Sequence, residues 1–145
     1  IDMDAEYFKK SWESCCFGGF LFGREAVRHM VKSGRGTLLF TGASASLRGR
    51  ANFGAFNSAK AGLRTLAQAM AKEYGPKGIH VGHVIIDGAI AGDKIMRRLP
   101  ELAKKLGEDG MIKIEGIVDG YVYLYNQLPQ AWTFELDLRT SIEKW

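Results

Sequence analysis

Apolar residues return at steps of three and four along the first part of the chain. Phe8, Trp12, Cys15, Gly19, Phe20, Val27 and Met30 or Val31 fall on one stripe. That period predicts a long amphipathic helix over residues 4–33, capped by Asp4 and stopped by Gly34. Gly18, Gly19 and Gly23 weaken such a helix locally and are expected to permit close packing. GTLLFTG (36–42) is a short apolar run bounded by glycines, the pattern of a buried strand. FGAFNSAKAGLRTLAQAMAKEY begins a second helix, over 53–75, that ends at Gly75-Pro76. IHVGHVII (79–86) reads as the next strand. Strand, helix and strand at this spacing form a right-handed crossover in a parallel sheet, so the fold class is α/β.

Beyond residue 90 the pattern is weaker. KIMRRLPELAKKL predicts one or two short helices around Pro100, and GEDGMIKIEG a loop, within residues 91–115. A short helix is expected over 116–127, and AWTFELDL predicts a last strand over 131–138.

Composition narrows the function classes. The 145 residues suffice for one domain, and 46% hydrophobic with 25% charged residues is globular usage. The net charge of +4 is scattered, without the basic stripe that nucleic acid requires. No run of eighteen apolar residues predicts a membrane span. Cys15 and Cys16 are the only cysteines. Adjacent cysteines rarely bridge and offer no zinc spacing, which suits a reducing, cytoplasmic setting. The opening IDMDAEYFKK is charged where a signal peptide needs an apolar core.

The candidate chemistry gathers around one crevice. In open α/β sheets, ligands bind beyond the carboxyl ends of the strands. Ser44, Ser46, Arg48 and Arg50 follow one such end, and DGAI (87–90) follows the other. Phe56 and Lys60, four apart on one helix face, lie near the start of the connecting helix. His80 and His83 lie three apart in a strand, so they point to opposite faces and cannot share a metal. Tyr121, Tyr123 and Tyr125 are expected at a surface or interface.

The same segments carry a family resemblance. GTLLFTGASAS, FNSAK, GPKGIHVGHVIIDGAI and the closing WTFELDL resemble the second half of a short-chain dehydrogenase/reductase. The resemblance implies a Rossmann-like doubly wound parallel sheet whose N-terminal strands are absent from this chain. It implies NAD or NADP as cofactor, with contacts from Thr41, Lys60, Gly88 and Ile90, and a small-molecule substrate. It also implies a homodimer or homotetramer paired through the helices over 4–33 and 53–75 and through the last strand. The glycine-rich turn for the pyrophosphate belongs before residue 1, with the residue that chooses between NAD and NADP.

The chain departs from the family pattern where the chemistry is done. The catalytic Tyr falls on Phe56 and the catalytic Ser on Ala43, with Ser44 next to it. A supporting Asn falls on Cys15, and the usual Pro before the nicotinamide segment is Asp87. Lys60 alone of the catalytic group persists. Three readings follow. In the first, an oxidoreductase acts on a carbonyl, an alcohol or a conjugated C=C bond with another proton donor, such as Ser44, Arg48 or water. In the second, the protein binds dinucleotide without turnover. In the third, it is a scaffold subunit kept for its helical interface.

Overall fold

Residues 1–144 are described by the structure, a computed structural model. The elements are α1 (Ala5–Trp12), a π-helical segment (Glu13–Phe17), α2 (Gly18–Ser33), β1 (Gly36–Ala43), α3 (Gly54–Tyr74), β2 (Ile79–Asp87), β3 (Ala89–Ile90), α4 (Asp93–Arg98), α5 (Pro100–Leu106), β4 (Met111–Ile112), α6 (Ile114–Tyr125) and β5 (Glu135–Arg139). β1, β2 and β5 form a parallel sheet in the order β1-β2-β5, and β3 pairs in parallel with β4.

The predicted first helix runs from α1 through the π segment into α2. Asp4 accepts the Glu6 amide at 3.2 Å, the bond expected of an N-cap. Gly34 ends the helix at φ 65°, a left-handed conformation that glycine adopts without steric cost. The glycines inside the helix serve packing. A Cβ on Gly19 would stand 2.5 Å from Leu63 Cδ1, and one on Gly23 would stand 2.9 Å from Phe40 Cζ. α3 follows the same rule with alanines. Ala55, Ala59, Leu63, Ala67 and Met70 recur along its buried face, and the small ones let the helix lie close to the sheet.

Each face of the sheet has its own core. Leu38, Phe40, Ile79 and Val81 meet Val27, Leu63, Ala67 and Met70 from α2 and α3. Val84 and Ile86 meet Ile112 and Leu124, with Leu136 and Leu138 packed alongside. β2 lies between these layers, and all nine of its residues are buried.

Three predicted segments are corrected. The last strand, expected over 131–138, is Glu135–Arg139. Pro129 starts a 3-10 turn through Ala131, and Trp132 stacks on His80 with ring centroids 5.0 Å apart, so the ladder begins later. The helix expected over 116–127 is Ile114–Tyr125, because the chain already turns helical after Lys113 and leaves at Asn126. The supposed loop GEDGMIKIEG contains β4 and the start of α6. Around Pro100 there are two helices, with Pro100 at the first position of the second, where its missing N–H costs nothing.

Gly42 faces the buried imidazole of His83, and a Cβ there would stand 2.2 Å from Nε2. The ring cannot easily retreat, since its Nδ1 is bonded to Glu135 and it stacks against Phe134. Gly42→Ala should therefore destabilise by about 1–3 kcal/mol. A fall of several degrees in the melting temperature checks this; an unchanged melt would show that the ring has room to move.

Candidate functional site

The carboxyl ends of β1 and β2 lie side by side, with Ala43 paired to Ile86, where the sequence predicts the ligand crevice. α3 begins beside it and supplies Phe56 and Lys60. Lys60 Nζ donates to the Thr41 carbonyl at 3.0 Å and lies 5.8 Å from the centroid of the Phe56 ring. The helical spacing brings Phe56 and Lys60 together, and Lys60 reaches across to β1 at Thr41. The Thr41 hydroxyl bonds to that of Tyr121 on α6. Tyr121 therefore meets β1 near its carboxyl end, a contact that its sequence position did not signal.

Ser44 opens the 3-10 turn that follows β1, and its carbonyl accepts the Leu47 and Arg48 amides at 2.9 and 3.3 Å. Ser46 turns back and donates to the Ala43 carbonyl at 2.7 Å. The loop is fixed from α3 by Asn57. Its amide nitrogen donates to the carbonyls of Arg48 (2.8 Å) and Ala45 (3.0 Å), and its oxygen accepts the Arg50 amide at 3.2 Å. Asn57 was passed over in the sequence, although it sits inside FNSAK. Arg50 lies over Phe53, 5.1 Å from the ring centroid.

On the β2 side, Gly88 takes φ 152° directly after Asp87. Ala89 and Ile90 then pair with Met111 and Ile112. Gly88 and Ile90 thus follow the end of β2, as the sequence places them. Asp87 itself is buried between Arg48 and Arg139, each 3.3 Å from its Oδ2.

Deeper along the same strands lies a second polar group. Glu135 accepts Arg64 Nε at 2.6 Å and Nη2 at 2.8 Å, a fork geometry, and pairs with His83 Nδ1 at 2.9 Å. Hydrogen bonding to Arg64 holds the Glu135 carboxyl below its usual range. Burial pushes the His83 imidazole down from its ordinary value, against the opposing pull of Glu135. His80 takes a different partner, the Thr133 carbonyl at 2.9 Å. Among the described residues, no group of three metal-ligating side chains occurs, and no helix is long and apolar enough to cross a membrane.

A family model described as short chain dehydrogenase matches residues 1–101. The chain belongs to the short-chain dehydrogenase family. It is 33% identical over 88 residues to a 3-oxoacyl-[acyl-carrier-protein] reductase of Bos taurus, a match covering 61% of this chain and 37% of that protein. Over 98 residues it is 32% identical to an inactive 2-(S)-hydroxypropyl-CoM dehydrogenase 2 of Xanthobacter autotrophicus, covering 68% of this chain and 40% of that one. A short-chain dehydrogenase structure from Rhodopseudomonas palustris superimposes with a TM-score of 0.75 at 40% identity, over 95% of this chain and 54% of its own. The chain thus spans little more than a third of these two curated relatives and about half of that structure.

The His83 group sets a pH response. His83 has a folded-state value lowered below the unfolded one, so the unfolded chain takes up a proton first as pH falls. Stability should decline as pH drops below about 6.5 and continue to fall toward the lowered folded value. Urea midpoints measured from pH 8 to pH 5 should show this decline, and His83→Gln should flatten it. A wild-type midpoint that stays level over that range would show that burial does not set the titration.

Proposed function

We propose that the complete protein is an NAD(P)-dependent oxidoreductase of the short-chain type. It acts on a carbonyl, an alcohol or a conjugated C=C substrate without the family's Tyr acid/base. The observation that carries this reading is Lys60, held at the carboxyl end of β1 by the Thr41 carbonyl and lying against Phe56. An ammonium has three N–H donors. One serves Thr41, which leaves two for the hydroxyls of a ribose. Across the crevice, the backbone of Gly88 and Ile90 can meet a carboxamide. The donor set therefore suits the nicotinamide end of a dinucleotide, which when bound exchanges a hydride with the substrate.

Phe56 fills the volume of a tyrosine but has no proton to give. A lost general acid typically costs about 10²–10⁴ in rate. Ser44 at the turn after β1, or a water ordered there, takes that role in this reading. Asp87 does not, because it is buried and its Oδ2 already meets Arg48 and Arg139. A second reading, dinucleotide binding without turnover, draws support from Phe56 and from the relative whose name marks it inactive.

Melting of the complete protein with NADH and with NADPH tests the cofactor. Ligand at a hundred times its dissociation constant should stabilise by about 2.7 kcal/mol, which raises the melting temperature by several degrees. Lys60→Ala should abolish most of that shift. An absent shift with both nucleotides in wild type would remove the cofactor reading. Phe56→Tyr with Ala43→Ser should raise carbonyl reduction by about 10²-fold or more. No gain would favour a crevice rebuilt for other chemistry.

Assembly is part of the proposal. Phe8, Trp12, Phe17, Phe20 and Phe22 are exposed along the first long helix, and the Trp12, Phe17 and Phe20 rings stack in series. They suit a homodimer or homotetramer paired through this helix and α3. Light scattering should report a multimer that Phe17→Glu with Phe22→Glu reduces to monomer. A wild-type monomer would sink this part.

A further inference from the structure

Asp87 closes β2 at the point where the sheet gives way to the crevice. It is 4% exposed, and two cations meet one of its oxygens. Arg139 stands opposite it in the β2–β5 register and also bonds to Asp137. Arg48 comes from the other direction, on the loop after β1. That loop is pinned at the Arg48 carbonyl by Asn57. One carboxylate thus joins the β1 loop to the end of β5 across the end of β2.

The residues that follow are held by little covalent stiffness. Gly88 takes its φ of 152° without a side chain. Ala89 and Ile90 pair with a strand of two residues, and the Ala91 amide donates to the Ile112 carbonyl at 2.9 Å. A proline at position 87 would fix one backbone torsion through its ring. Aspartate cannot, but its side chain can be clamped. Burying a carboxylate is costly unless it is paired, and here two guanidiniums supply the pairing.

We propose that Asp87 is a positioning residue: its ion pairs with Arg48 and Arg139 hold the Gly88–Ala91 backbone in the form that receives a nicotinamide carboxamide. The proposal rests on the cofactor reading above for its ligand, but not for its mechanics. The mechanical part is that an ion-pair clamp does for this segment what a ring does in a proline-bearing chain. The clamp also makes the segment answer to the β1 loop, since Arg48 belongs to both.

Two variants test it in the complete protein. Asp87→Asn removes the buried charge. Arg48→Met removes a half-exposed partner and so leaves folding intact even if the first variant fails to fold. Hydrogen exchange of the peptide covering 88–92 should quicken in Arg48→Met while that of β1 and β2 stays unchanged. Arg48→Lys, which keeps the charge, should restore most of the protection. The dissociation constant for NADH or NADPH, read by fluorescence titration, should rise about tenfold in Arg48→Met, the scale of one charge-assisted bond. Unchanged exchange in Arg48→Met overturns the clamp. Unchanged nucleotide affinity alongside faster exchange overturns its role toward the cofactor. If wild type binds neither nucleotide, the cofactor reading falls, while the exchange result still decides the clamp.

Discussion

The structure depends on a strand with no exposed residue. β2 is covered by apolar layers on both faces and by a neighbouring strand on each side. A parallel strand so placed is ordinarily all apolar. This one carries His80, His83 and Asp87, and a buried polar group must find a partner. The partners come from elsewhere in the chain. Thr133 serves His80, Glu135 serves His83, and Arg48 and Arg139 serve Asp87. Much of the polar character of the last strand and of the loop after β1 is therefore dictated by what β2 buries. Gly42 meets the same demand by leaving room for a ring.

The elements that position the crevice were legible in the sequence because their periods are strong and local. GTLLFTG and IHVGHVII are short, mostly apolar runs rich in β-branched and aliphatic residues, and they form β1 and β2 with a residue added at the carboxyl end of each. The glycines of the first helix were read as packing devices, and Leu63 and Phe40 occupy the space they leave. The last strand was misjudged at its start, since alternation in AWTFELDL continues through residues that Trp132 and the Pro129 turn divert. β3 and β4 have two residues each, too few to show a period. The contacts of Lys60 with Thr41 and Phe56 followed from topology and helical spacing. The pairings that stiffen the crevice did not. Arg48 and Asp87 are 39 positions apart, and Arg64 and Glu135 are 71 apart, so only the three-dimensional register brings them together.

Phe56 separates two duties that one tyrosine could combine. Its ring still packs beneath Lys60, so the ammonium keeps an apolar wall and a cation–π contact. A phenylalanine ring carries no hydroxyl, so this position offers no proton. Membership of the short-chain dehydrogenase family fixes the scaffold around this crevice.

The β2–β5 pairing also bears on how the chain is made. His83 and Glu135 are 52 positions apart in sequence. At about 5–20 residues per second, a ribosome needs roughly three to ten seconds to deliver the second after the first. Throughout that interval the newly made β2 has an open edge, and His83 lies in an apolar surface without its carboxylate. Such an edge can pair with another nascent chain. That edge stays open until β5 arrives to pair with it.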